Sequence, residues 1–150
     1  MTDHARPLLP DGIVAVVKRD CPTCELVVPV LVALDERLKL TVFSQDDPGF
    51  PEGLKAVDDR DLGVSWRHDI EAVPTLIRVE GGVEVERAIG WHRTDWERIT
   101  RVSGLGENLP DSRPGCGSLS VDPDRVVELA VRFGGSKLRS RRVEPESESA

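Results

Sequence analysis

The sequence predicts an α/β fold, a central mixed β-sheet flanked by helices, and three observations point to it. A continuous apolar run, Ile13-Val14-Ala15-Val16-Val17, is consistent with a strand buried on both faces of a sheet. Beyond it, Leu26, Val27, Val30, Leu31, Leu34 and Leu38 recur at helical spacing. Further on, residues 73–79 and 83–89 read as two strands joined by Glu80-Gly81-Gly82, an antiparallel hairpin.

Length and composition set the class. At 150 residues with a net charge of −7, the chain has room for one domain with a modest core, and the acidic balance argues against a nucleic-acid partner. The segment Met1-Thr2-Asp3-His4-Ala5-Arg6 lacks a secretory apolar stretch, and no apolar run approaches the roughly 18 residues of a membrane span, so a cytoplasmic protein with no membrane partner is expected. Three cysteines, an odd and low count, fit a reducing compartment.

In chain order, residues 1–11 contain two prolines and no periodicity and read as a flexible lead-in. After the first strand, a helix is expected over 22–38, bent where Pro29 removes a backbone hydrogen bond. Leu40-Thr41-Val42-Phe43 is the next strand, and the short connection to it makes a βαβ unit. Asp46-Asp47-Pro48-Gly49 is turn chemistry. Between 51 and 70, Leu54, Val57 and Leu62 suggest a short helix, followed by an extended piece at Val64-Ser65-Trp66. After the hairpin, Thr94-Asp95-Trp96-Glu97 has the form of a capping box opening a helix whose apolar face is Trp96, Ile99 and Val102, with Gly104 as its stop.

The chemistry-bearing motif is Cys21-Pro22-Thr23-Cys24, at the junction of the first strand and the helix. There, unpaired backbone N–H groups stabilise a thiolate, so Cys21 is the expected nucleophile, with a pKa lowered from about 8.5 into the roughly 3.5–7.5 range of such motifs. Cys24, one turn along, is placed to close a disulfide with it. The same spacing also serves as half of a zinc site or as two structural thiols. A zinc site wants four ligands, and beyond the pair the chain offers Cys116 and the scattered His4, His68 and His92, so no metal is expected.

Taken in this order, residues 12–103 resemble the thioredoxin-like superfamily. The cysteines carry the resemblance together with Val73-Pro74-Thr75, similar to the family's cis-proline loop, Pro29, similar to its helix-kink proline, the Gly81-Gly82 turn, and Gly90 after the last strand. The resemblance implies thiol–disulfide exchange without a cofactor: Cys21 attacks a protein disulfide, Cys24 resolves the mixed disulfide, and a reductase or other redox partner restores the pair. It also implies that Val73, Pro74, Gly90 and Trp91 line the substrate groove, with Pro74 cis.

There are departures from the family's pattern. An Asp precedes the motif, the inner dipeptide is Pro-Thr, with proline next to the nucleophile as in glutaredoxins, and Ala15 stands where thioredoxins carry a buried acid. Two other readings therefore stand beside exchange: a non-catalytic or metal-binding module of this fold, and a glutathione-dependent protein using Gly81-Gly82-Val83-Glu84. Trp91 reads equally as an exposed partner anchor or as a core residue. His68 and His92 read as solvated, and Trp66 as core.

Residues 104–133 form an extra C-terminal loop and helix. The Gly- and Pro-rich connection 104–121 is too long for a plain linker and should fold back on the domain. Cys116, between Gly115 and Gly117, is a candidate third redox thiol. Asp122-Pro123 opens a helix with the stripe Val126, Leu129, Ala130 and Phe133, stopped at Gly134-Gly135. From 134 to 150 the composition predicts a mobile tail.

Overall fold

The computed structural model describes residues 9–134. The expectations for residues 1–8 of the lead-in and 135–150 of the tail lie outside these residues. The central sheet has five strands in the order β3-β2-β1-β5-β6: β1 (Gly12–Val17), β2 (Leu40–Ser44), β3 (Ala56–Asp58), β5 (Thr75–Glu80) and β6 (Val83–Ile89). A two-residue strand, β4 (Ala72–Val73), precedes β5. β1, β2 and β3 run parallel, and β5 and β6 are antiparallel to their neighbours, so the sheet is mixed.

β1 is the centre strand, and every residue from Ile13 to Val17 is at most 2% exposed, the burial on both faces that its unbroken apolar run requires. Residues just ahead of it join the fold. Leu9 is buried, and the Asp11 carboxylate accepts the N–H groups of Gly81 and Gly82 in the hairpin turn. Both glycines have positive φ, 63° and 79°, as a two-residue hairpin turn demands.

The helix expected over 22–38 is two helices, α1 (Pro22–Leu26) and α2 (Val28–Asp35), with the break at Val27, ahead of Pro29. Each carries a proline in its first turn, where the missing N–H costs nothing. Val27, Val30, Leu31 and Leu34 face the main core with Trp96 and Ile99 of α4 (Arg93–Thr100), a helix packed on β5 and β6.

Residues 51–70 reverse the expected order. Val57 lies in β3, paired with Phe43, and Val64-Ser65-Trp66 lies in α3 (Gly63–Arg67). Asp59 decides this: its carboxylate accepts the N–H groups of Val64 and Ser65 and the Ser65 hydroxyl, capping α3 from outside the usual N-cap position, which Leu62 occupies with a left-handed φ of 65°. The capping box at 94–97 is likewise not formed. α4 starts at Arg93 with no side-chain cap, Glu97 accepts the N–H groups of Gly104 and Leu105 instead, and the helix closes at a left-handed Arg101 ahead of Gly104.

The C-terminal segment returns across the domain. β8 (Ser112–Arg113) pairs with β7 (Trp91–His92), and β9 (Cys116–Gly117) pairs with β4, both antiparallel. A 3₁₀ turn (Leu119–Val121) then leads into α5 (Pro123–Phe133), capped by Asp122. Leu129 of α5 closes a second apolar cluster with Leu62 and Trp66. His68, expected on an exposed turn, is 6% exposed, and its carbonyl accepts from Arg87.

Candidate functional site

Cys21 is the N-cap of α1, with extended backbone angles, and its sulfur accepts the N–H of Cys24 at 3.3 Å. This is how a strand-to-helix junction holds a thiolate: a main-chain donor points at the sulfur from one turn ahead. Across from it stands the proline corner. The Val73–Pro74 peptide is cis, the Val73 carbonyl oxygen lies 3.6 Å from Cys21 Sγ, and the Gly90 N–H donates to the Pro74 carbonyl. Cys21, Cys24, Val73, Pro74 and Gly90 thus converge at one place, although 69 positions separate the first from the last.

The electrostatics divide the two motif thiols. The Cys21 pKa is pulled down to about 5 from the usual 9.0, first by a hydrogen bond from the Cys24 thiol, then, against the opposing cost of burial, by one from Cys116 and by the backbone N–H groups of Cys24 and Thr23. Cys24 goes the other way: burial and then the neighbouring Cys21 sulfur push its thiol up. Its sulfur receives the Lys18 N–H at 3.5 Å. Ala15, fully buried, supplies no carboxylate to take its proton. The arrangement is one nucleophilic sulfur and one reluctant one.

The third thiol sits against the first. Cys116 Sγ lies 2.6 Å from Cys21 Sγ, and all three cysteines are free. Residues 112–117 form a strap laid over the pair. Thr23 donates its hydroxyl to the Pro114 carbonyl, Lys18 Nζ donates to the Gly117 carbonyl, and Cys116 pairs with Val73. Gly115 passes so close to Val73 that a Cβ on it would meet the Val73 oxygen at 2.5 Å, which only glycine avoids. Under the strap Cys21 is 2% exposed, while Cys24 is sealed in the core behind it at 0%.

Trp91 is fully buried and is not offered to a partner. Its indole N–H donates to the Pro110 carbonyl, and its ring meets Trp96 edge-on at 5.1 Å. It supports the strap from below, and of the two readings the sequence allowed, the core one holds. His92 is exposed at the strap's edge, where its backbone pairs with Ser112. Sequence reasoning missed Thr23 and Arg93. Arg93 gathers the Leu105, Gly106 and Leu109 carbonyls and the Asp111 carboxylate, which fixes the chain leading into the strap. The Gly81-Gly82 turn lies beside Asp11, at the opposite end of β1 from Cys21, and serves the hairpin. Among the described residues, no group of three or more His, Cys, Asp or Glu side chains is arranged to hold a metal ion.

A thioredoxin H-type protein from Picea mariana is 32% identical over 79 residues, 52% of this chain and 54% of that protein. This chain is similar to that thioredoxin, and its mixed sheet flanked by helices is consistent with a thioredoxin-like fold. It covers about half the length of that curated relative, and no family model and no solved structure matches it. The thioredoxin-like sheet, the Cys21-Pro22-Thr23-Cys24 turn and the proline corner form one unit, and the strap crosses it. Among the described residues no helix is long and apolar enough to cross a membrane.

Proposed function

We propose that this thioredoxin-like protein is a thiol–disulfide oxidoreductase that exchanges a Cys21–Cys24 dithiol and disulfide with a protein partner. The observation that carries the reading is the Cys21 sulfur: donors at the mouth of α1 hold it as a thiolate, and it faces the Val73–Pro74 corner. In the forward direction the thiolate attacks a partner disulfide, forming a Cys21–partner bond while the electron pair leaves on the partner's other sulfur. Cys24 then attacks Cys21, closes the Cys21–Cys24 disulfide and releases the second partner sulfur as a thiolate, which takes up a proton. A reductase or other redox partner reverses the cycle, and a reducing cytoplasm is the compartment in which it turns over. Val73, Pro74 and Gly90 provide the main-chain surface for the partner, and Trp91 acts from beneath.

The pH profile of Cys21 alkylation by iodoacetamide tests the activated sulfur. Because a lowered pKa leaves the thiolate populated above it, the rate should rise through a midpoint near 5 and be flat at neutral pH. A midpoint near about 8.5, that of an unactivated thiol, removes the nucleophile from the argument. The burial of Cys21 favours a second reading, a module that keeps the fold without turnover. Partner capture separates the two. The Cys24→Ser, Cys116→Ser double variant should hold a partner covalently until dithiothreitol releases it, whereas a non-exchanging module captures nothing.

A further inference from the structure

The strap places a third sulfur in contact with the nucleophile, by contacts that fix its register. β9 pairs with β4 so that Cys116 stands opposite Val73 and Gly117 opposite Ala72. Gly115 presses on the Val73 carbonyl, and Thr23 and Lys18 hold the carbonyls of Pro114 and Gly117 on either side of the cysteine. These contacts come from α1, from Lys18 just past the end of β1 and from the proline corner, the same region that positions Cys21. Cys116 reaches Cys21 from 95 positions away, while Cys24, three positions away, is fully buried with no carboxylate at Ala15 to deprotonate it.

We infer that Cys116 is a third exchanging thiol, which takes Cys21 from Cys24 and latches the strap over the site as a Cys21–Cys116 disulfide. This rests on the exchange reading of Cys21 and names an internal partner for it. The step begins from the Cys21–Cys24 disulfide left by a turn of exchange. The Cys116 thiolate attacks Cys21 Sγ, and the Cys21–Cys116 bond forms as the Cys21–Cys24 bond breaks. The electron pair leaves on Cys24, which takes up the proton that Cys116 gave. One disulfide replaces another, and no outside oxidant or reductant is consumed.

The direction rests on geometry: the docked strand holds Cys116 against Cys21 Sγ at 2.6 Å, and the buried Cys24 takes up the proton as it leaves, so no charge stays in the interior. The latched protein has its own strand on β4 and its nucleophile tied up, so a partner gains entry only after a reductant opens the Cys21–Cys116 bond. The strap is then a substrate that never departs.

The test uses the full chain carrying Cys24→Ser, fully reduced and then treated with oxidised glutathione as the disulfide oxidant. Cys21 takes one glutathione, and Cys116 displaces it, so that one oxidised glutathione yields two reduced ones and the internal bond. Peptide mapping without reduction should find Cys21 joined to Cys116 in about tenfold excess over the Cys21–glutathione adduct, because a tethered thiol competes at an effective concentration in the millimolar range. Persistence of the glutathione adduct with Cys116 open to alkylation overturns the inference. Gly115→Val, added to the same chain, should lift the strap and lower the internal link about tenfold by the same tethering argument. An unchanged link there would mean that the bond does not depend on the docked strand, which also overturns it. Thr23→Val provides a milder version on a chain with no backbone clash. A wild-type Cys21 midpoint near 5, with the oxidised wild type holding Cys21–Cys24 and no Cys21–Cys116 link, overturns the latch alone; an ordinary midpoint overturns the exchange reading beneath it.

Discussion

Cys21 lies between two walls of different construction. The inner wall, β1 with α1 and α2, is apolar and sealed: Val14, Ala15, Cys24, Val27, Leu31 and Leu34 are all fully buried. The outer wall, residues 112–117, is exposed or half-buried at every position and is held by a few polar contacts from Thr23, Lys18, β4 and β7. Burial of apolar surface is cooperative and has no substitute from outside. Backbone hydrogen bonds on a strand edge can be remade by any other extended chain. The inner wall therefore sets what Cys21 is, and the outer wall sets what reaches it.

Breaking the inner wall should cost most. Leu31→Ala removes a fully buried side chain and should destabilise the domain by about 3 kcal/mol, read as a lower urea midpoint with unchanged slope. Arg93→Ala attacks the approach to the outer wall. It strips donors from the Leu105, Gly106 and Leu109 carbonyls and should cost about 2 kcal/mol, with Cys21 becoming open to alkylation well below the unfolding midpoint. If global unfolding and Cys21 exposure instead coincide in that variant, the two walls are one cooperative unit and the contrast fails. Thr23→Val loses a single bond to Pro114 and should cost about 1 kcal/mol, opening the strap roughly fivefold more often, measured by the Cys21 alkylation rate at pH 7.

Titration supplies a finer contrast within the inner wall. Cys21 has a folded-state pKa of about 5, below the usual 9.0, so its thiolate stabilises the reduced fold fully above about pH 9 and progressively less as the pH falls towards 5. Cys24 is shifted upward, stays protonated throughout that window and adds no slope there. Reduced protein should therefore lose stability between pH 8 and 5 relative to its Cys21→Ser variant, which has no such thiolate. Parallel urea curves for the two across about pH 5–8 would show that the lowered pKa is not realised.

Much of the inner wall was legible in the sequence because its signals are local. The run at 13–17 and the helical spacing from 26 to 34 each declare their conformation within a few residues, as does the Gly81-Gly82 turn beyond that wall. The reversal over 51–70 was not legible because β3 is a three-residue edge strand with one neighbour, and because α3 takes its cap from Asp59, three positions before the left-handed Leu62. Glu97 misled for a related reason: its carboxylate closes a downstream loop in place of its own helix start. At the site, the pair Cys21–Cys24 and the proline corner were readable from spacing and resemblance. The contact of Cys116 with Cys21 was not, since nothing in a chain of 150 residues says which edge a glycine-flanked cysteine will settle on. The one hint was Gly115 itself, whose lack of a side chain proves to be the condition for that approach.

The strap is pinned at both ends, by Arg93 on Asp111 and by Gln45 and the Glu71 carbonyl on Ser118, so its free span is the stretch 112–117. Fully extended, that span reaches only about 20 Å. It can bow outward but cannot swing clear, which makes it a hoop over the sulfur. Under the proposed exchange, a single extended backbone is what such an aperture would pass, and the flank of a folded domain would meet the hoop first.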